Sequence, residues 1–339
     1  MESVFSEGIG FVSNVPTLGW DAARTKCGLD EAEARVWWEW YEREVCRPWV
    51  LFEGEEGTVE IEASEGEGDD LDGLPLVAHD VRRVRFAGKS YALKQAGLYR
   101  FIVLTRSVRN LIVAPKGDPV SVLRGLSALQ VHGNRDDARP VEELRQLLLS
   151  RVFLSITCGT IASVTVAVMR DLGFGARLVS TLTLDPWNTY DNGHSICEIF
   201  FPGERKWVLA DVDFGFLFRS GDAYLSAGEL WDCLNSGNDV EFLPLAETPG
   251  DPFFLSPSGF NYFLYTRYAW RDMAAKKAWY RRMLHVIGVV DEGKTFYFGP
   301  EDRIRSYCAG DWCEVLPVSK WKLRLYGEVP EDTLSGPRK

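Results

Sequence analysis

Ile161, Val164, Val168 and Leu172 recur at the spacing of one helical face. That period predicts a helix whose first turn holds Cys158, with Thr157 placed to cap it and Gly173 suited to the left-handed position that ends it. Ala162, Val166 and Ala167 leave little polar surface on the other sides, so the helix is expected inside its domain rather than across the surface. The pattern then becomes that of strands. Residues 176–184 read as one strand and residues 185–193 as a loop; His194 opens a second strand that runs to Phe201, turns over residues 202–205 and returns from Lys206 to Asp213.

On either side of this segment the patterning is less regular. Asp30 with Glu33 makes a capping box for a helix reaching about Cys46, stopped by Pro48, with Ala34, Trp37, Trp38, Tyr41 and Val45 as its apolar stripe. Residues 53–73 are rich in Glu, Asp and Gly and are expected to hold a solvated loop. Alternation over 83–86, 99–103 and 111–113 predicts a small antiparallel sheet with a turn at Gly88-Lys89, and two helices follow over 119–131 and 140–154, each with Pro in its first turn. A helix over 268–287 carries Arg271, Lys276, Lys277, Arg281 and Arg282, a basic face read first as solvated, and strands are expected over 295–298 and 320–326. This order divides the chain into an accessory region (1–117), a central domain (118–268) and a carboxy-terminal extension (269–339).

At 339 residues and 46% hydrophobic content the chain can bury a large core. A net charge of −11 argues against nucleic acid as a general partner. No apolar run reaches the roughly 18 residues of a membrane-spanning helix and no amino-terminal signal pattern is present. Seven cysteines without framework spacing suit a reducing compartment, so a cytoplasmic location is expected. No cofactor or metal is expected: Asp70-x-Asp72-Gly73 hints at a calcium loop, but Gly68 stands at its first ligand position and His79 at its last.

The chemistry concentrates between 158 and 213. A thiol at a helix start is biased towards thiolate by the helix dipole, and first-turn N–H groups can receive an oxyanion. A thiol nucleophile needs a base, and the base needs a group to fix its tautomer; Cys158, His194 and an acid on the returning strand can supply all three. If Phe201 pairs with Lys206, His194 falls opposite Asp213, whereas a longer loop or a bulge puts it opposite Asp211. Both carboxylates lie on one strand face, and pairing alone does not choose between them. Taken singly each residue has a plainer reading: a buried cysteine as a small hydrophobe, a strand-end histidine, a turn aspartate. Trp187, Asn188 and Tyr190, in the loop leading to His194, are candidates for lining a cleft or for anchoring that loop.

A helix-borne Cys followed by Leu172-Gly173-x-x-Ala176-Arg177, a strand-borne His and an acid ending a strand that contains Trp207-Val208 together resemble the transglutaminase-like superfamily. The resemblance implies an α+β fold with a papain-like core, in which a buried helix carrying the Cys packs on an antiparallel sheet carrying His and Asp. It also implies Cys158 as nucleophile, His194 as base and Asp211 as the orienting acid. The family's acid is commonly followed by Pro, whereas Val212 and then Asp213 follow here, so Asp213 stays a candidate for part of that role. The implied activity is cysteine-dependent acyl transfer on an amide, peptide or thioester-like carbonyl, with a peptide, amide or glycoconjugate as substrate; hydrolysis is slightly favoured over transfer to an amine, since water is the default acceptor where no amine pocket excludes it. A binding or scaffold module with an inert thiol is the reading from a different class.

Overall fold

The computed structural model describes residues 48–54, 57–103, 107–184, 193–245, 273–304 and 310–327. The aromatic helix expected over 30–46 and the loop residues Trp187, Asn188 and Tyr190 lie outside the described residues.

The accessory region builds its own core from Val50, Phe52, Leu71, Tyr91, Tyr99, Phe101 and Leu111. Where one small sheet was expected, two form. Gly97–Val103 and Ser107–Val113 pair antiparallel beside Pro48–Gly54, whereas Arg83–Phe86 and Lys89–Ala92 make a separate hairpin. Its turn puts Ala87 and Gly88 at φ +50° and +75°, the left-handed geometry of tight hairpins. The acidic stretch is also more ordered than its composition suggests, because Gly57–Glu60 adds to the larger sheet and Leu71 is buried in a short 3₁₀ turn. Buried Arg100 ties this region to the next by donating to the carbonyls of Ala128, over 2.9 Å, and of Val152.

Helix α1 (Pro119–Ala128) opens with Asp118 accepting from the N–H groups of Val120 and Ser121. It ends short of the expected Val131, and α2 (Val141–Leu147) likewise stops well before 154. The displaced residues form a parallel ladder, β1 (Gln130–His132) against β2 (Leu154–Ile156), with His132 level with Ile156. Both strands therefore end at the same place, and the chain leaving β2 enters α3 (Cys158–Asp171) beside His132.

In α3, Ile161, Val164, Val168 and Met169 are buried, and Gly173 takes φ +83° after its end. The helix packs on β3 (Ala176–Leu182) and β4 (Gly193–Phe201), which continue antiparallel into β5 (Lys206–Asp211). These strands belong to a sheet completed by β6 (Phe216–Ser220), β7 (Ala223–Tyr224), β8 (Glu241–Pro244), β9 (Val286–Asp291), β10 (Lys294–Phe298) and β11 (Cys313–Val315). Its order is β7-β6-β5-β4-β3-β9-β10-β11, with β8 also on β6. Alternation divides the strands as a two-faced sheet requires: Cys197, Ile199, Phe201, Val208 and Ala210 join the α3 core, whereas Val179, Ile196, Leu209 and Phe218 face the other way. That second face is covered by α4 (Ala227–Ser236), α5 (Met273–Met283) and α6 (Val318–Tyr326).

Three carboxy-terminal expectations are corrected. The helix expected to reach Ile287 stops at Met283, because Val286, Ile287 and Val289 are buried in β9. Residues 320–326 are helical rather than extended: Trp321 and Leu325, four apart, are both buried, and the Trp321 indole donates to Phe296 O over 2.7 Å. The division after residue 268 cuts through one sheet, since β9 pairs with β3. Among the described residues no helix is long and apolar enough to cross a membrane. The α+β class expected from the sequence is the class observed.

Candidate active site

Cys158 is the first residue of α3 and is half-buried, whereas His194 on β4 and Asp211 at the end of β5 are buried. His194 Nε2 lies 2.8 Å from Asp211 Oδ2. A carboxylate only accepts, so Nε2 carries the proton towards Asp211, and the Cys158 sulfur stands beside the ring, within 4.8 Å of a ring nitrogen. His194 is thus hydrogen-bonded to Asp211 and has the Cys158 thiol as its neighbour.

The strand register explains why both candidate acids come near. Phe201 does pair with Lys206, the register that on paper sets His194 opposite Asp213, but the ladder ends at Cys197↔Ala210, three residues short of His194. Beyond it the chain turns, closed by the Gly215 N–H on Asp211 O at 2.8 Å with Gly215 at φ +74°. Asp211 therefore keeps its place on the face of His194 while Asp213 swings towards the ladder of β1 and β2. His132 Nδ1 donates to Asp213 Oδ2 over 2.7 Å. Asp213 remains close to the thiol even so: one ligand atom each from Cys158, His194 and Asp213 lie within 4.8 Å of one another.

Asp211 is fully satisfied as a buried anion. Oδ1 accepts from the Phe214 N–H at 2.9 Å, and Oδ2 accepts from Tyr280 Oη at 2.6 Å as well as from His194. Burial alone would raise its pKa, but His194 and these two donors outweigh burial and hold the carboxyl below its ordinary range. For His194, burial disfavours the imidazolium, yet the Asp211 carboxylate and the Cys158 thiol beside it hold the ring well above its ordinary value. Packing restrains the ring further, since Phe214 and Trp279 lie at centroid distances of 5.1 and 5.2 Å in tilted and edge-on orientations.

Trp279, Tyr280 and His132 were not singled out in the sequence. The first two interrupt a helix noted for its basic residues, and an adjacent aromatic pair there was the available signal. His132 carries no local signal, because its partner is 81 residues away.

Two other described cysteines, Cys197 and Cys313, differ from Cys158. Cys197 is fully buried on the α3 side of the sheet and donates to Ala210 O at 3.4 Å; burial, Asp211 and Glu198 push its thiol far up. It is a packing residue of the α3 core. Cys313 is disulfide-bonded, with a partner outside the described residues.

The motif arginine has a structural task on the opposite face. Arg177 pairs with fully buried Glu198 at 2.8 Å, stacks 4.0 Å from the centroid of Trp207 and donates to Leu325 O at 3.2 Å, while Glu198 also receives the Ala227 N–H and the Tyr326 hydroxyl. One ion pair thereby joins β3, β4, α4 and α6.

Comparison with known proteins finds no significant match among curated proteins and none among solved structures. A family model does match, and it spans Cys158, His194 and Asp211 but ends one residue before Asp213 and begins after His132. Over residues 138–212 the chain matches the transglutaminase-like superfamily, and it therefore carries a transglutaminase-like domain.

Proposed function

We propose that the protein is a cysteine-dependent acyl-transfer enzyme whose core is arranged as in papain-like folds, with Cys158 as nucleophile, His194 as acid and base and Asp211 as the orienting residue. The observation that carries this reading is the His194 Nε2–Asp211 Oδ2 bond of 2.8 Å, which leaves the other ring nitrogen to the Cys158 thiol. The thiol proton passes to His194, and the thiolate attacks a carbonyl carbon. The oxyanion forms against N–H groups of the first turn of α3, which have no carbonyl partner within the helix. His194 then gives its proton to the leaving amine or alcohol, and water or an amine releases the acyl group from Cys158.

Water is the favoured acceptor, because transfer to an amine requires a pocket that excludes water around the thioester. The substrate class proposed is an amide or peptide, including those of glycoconjugates. Exposure to an aryl-ester acyl donor followed by peptide mapping tests the reading. An acyl adduct is expected on Cys158 and none on Cys197, with formation lost in Cys158→Ala and slowed in His194→Gln. Absence of any adduct on Cys158 in the folded wild-type chain contradicts it.

A further inference from the structure

Asp211 suffices to hold His194, yet a second buried acid with its own histidine stands on the thiol side. The Asp213 side chain is 2% exposed, its Oδ2 takes the His132 proton, and both residues fall outside the span that the family model matches. We propose that Cys158, His194 and Asp213 bind a single zinc ion reversibly, and that the bound ion switches the nucleophile off. The binding stands on the geometry alone; its inhibitory consequence rests on the acyl-transfer reading.

A thiolate, an imidazole nitrogen and a carboxylate oxygen are zinc's preferred donors, and the thiolate selects against calcium and magnesium, which take oxygen ligands. Around a tetrahedral zinc such atoms stand about 3.3–3.5 Å apart. The three here already lie within 4.8 Å of one another, so small side-chain adjustments bring them into range. Three protein ligands leave one position for water.

The surroundings also suit a metal. A ligating histidine usually donates its other N–H to a carboxylate, as His194 does to Asp211, and a ligating carboxylate is usually hydrogen-bonded, as Asp213 is to His132. Charges balance, since thiolate and carboxylate neutralise the ion in a site that is largely buried. Binding displaces the thiol proton and any proton on His194 Nδ1 to solvent, so affinity rises with pH.

The experiment uses the full chain, with zinc chloride and cobalt(II) chloride as probes. Zinc is expected to slow alkylation of Cys158 at least about tenfold while leaving Cys233 unaffected, and cobalt to give a sulfur-to-cobalt charge-transfer band. Asp213→Asn is expected to weaken zinc protection of Cys158 roughly 10- to 100-fold relative to its own zinc-free rate. Near-isosteric Cys158→Ser, which tests the site without altering Asp213, should lose the cobalt band. Unchanged Cys158 alkylation at saturating zinc, a band that persists in Cys158→Ser, or equal protection in Asp213→Asn overturns the site. Fast zinc-free alkylation without zinc protection removes the metal site and spares the enzyme reading, whereas zinc protection without acyl-adduct formation does the reverse.

Discussion

Tyr280 donates a 2.6 Å hydrogen bond to Asp211 Oδ2, the same oxygen that holds His194. The phenol comes from α5, 69 residues beyond the acid, so the carboxy-terminal segment completes the candidate site. Tyr280→Phe keeps the ring packing and removes one donor to a buried anion. A loss of about 1.5–3 kcal/mol in unfolding free energy is expected. The acid limb of the activity profile should move to higher pH, because Asp211 loses part of what keeps its pKa low. Urea unfolding and a pH–rate profile check both.

Asp211→Asn should cut turnover strongly, by two to four orders of magnitude on the scale of orienting acids elsewhere, since an amide holds the ring but does not stabilise the imidazolium. Asp213→Asn should do less, because its carboxylate is engaged by His132. Turnover of both variants on one acyl donor gives the order directly; the reverse order assigns the orienting role to Asp213.

The buried pair also predicts a pH dependence of stability. Asp211 has a lowered folded pKa, so its contribution is present above the unfolded value of about 3.9 and is lost as pH falls through the folded one. His194 has a raised folded pKa, so its contribution is full below the unfolded value of about 6.5 and is lost as pH rises through the folded one. His194→Gln should therefore destabilise more at pH 6 than at pH 9. Urea midpoints at the two pH values measure this; an equal loss at both would show that the histidine is not held charged by Asp211.

Breaking the Arg177–Glu198 pair should cost about 3–5 kcal/mol, because truncating one partner leaves a buried charge. Arg177→Lys keeps the charge but loses the two-pronged bond and the stacking on Trp207, and should fall between wild type and Arg177→Ala in thermal unfolding.

A calcium chelator should leave turnover unchanged, since the proposed chemistry uses the chain's own acid, base and thiol. A chelator should restore turnover to zinc-treated protein. Loss of turnover on chelation, measured with a labelled primary amine as competing acceptor, would instead indicate a metal-dependent transamidase.

What could be read in the sequence was local. The periods of α3, β3, β4 and β5 and the cap positions at Thr157 and Gly173 were legible because each depends on neighbours within a few residues. Even there Thr157 makes no side-chain cap of its own helix; its Oγ1 and N–H instead meet Asp137 at 3.2 and 2.9 Å. Trp321 and Leu325 stand four apart, a helical spacing, within a segment whose alternating Trp321, Leu323 and Leu325 equally suit a strand. Long-range pairings had no local signature: β1 with β2, β9 with β3, and His132 and Tyr280 with the acids at 213 and 211. The choice between those acids depended on where the β4–β5 ladder stops, which is set by the turn after Asp211 rather than by the strand pattern.

Activation of Cys158 by His194 is measured most directly by the iodoacetamide alkylation rate of each cysteine in the folded chain at neutral pH, resolved by peptide mass spectrometry. Cys233 is the internal control, because it too is half-buried. Cys158 should react faster than Cys233 by at least about tenfold, and the excess should disappear in His194→Gln. Reaction of Cys158 at or below the rate of Cys233, or a rate unchanged in His194→Gln, would contradict the account.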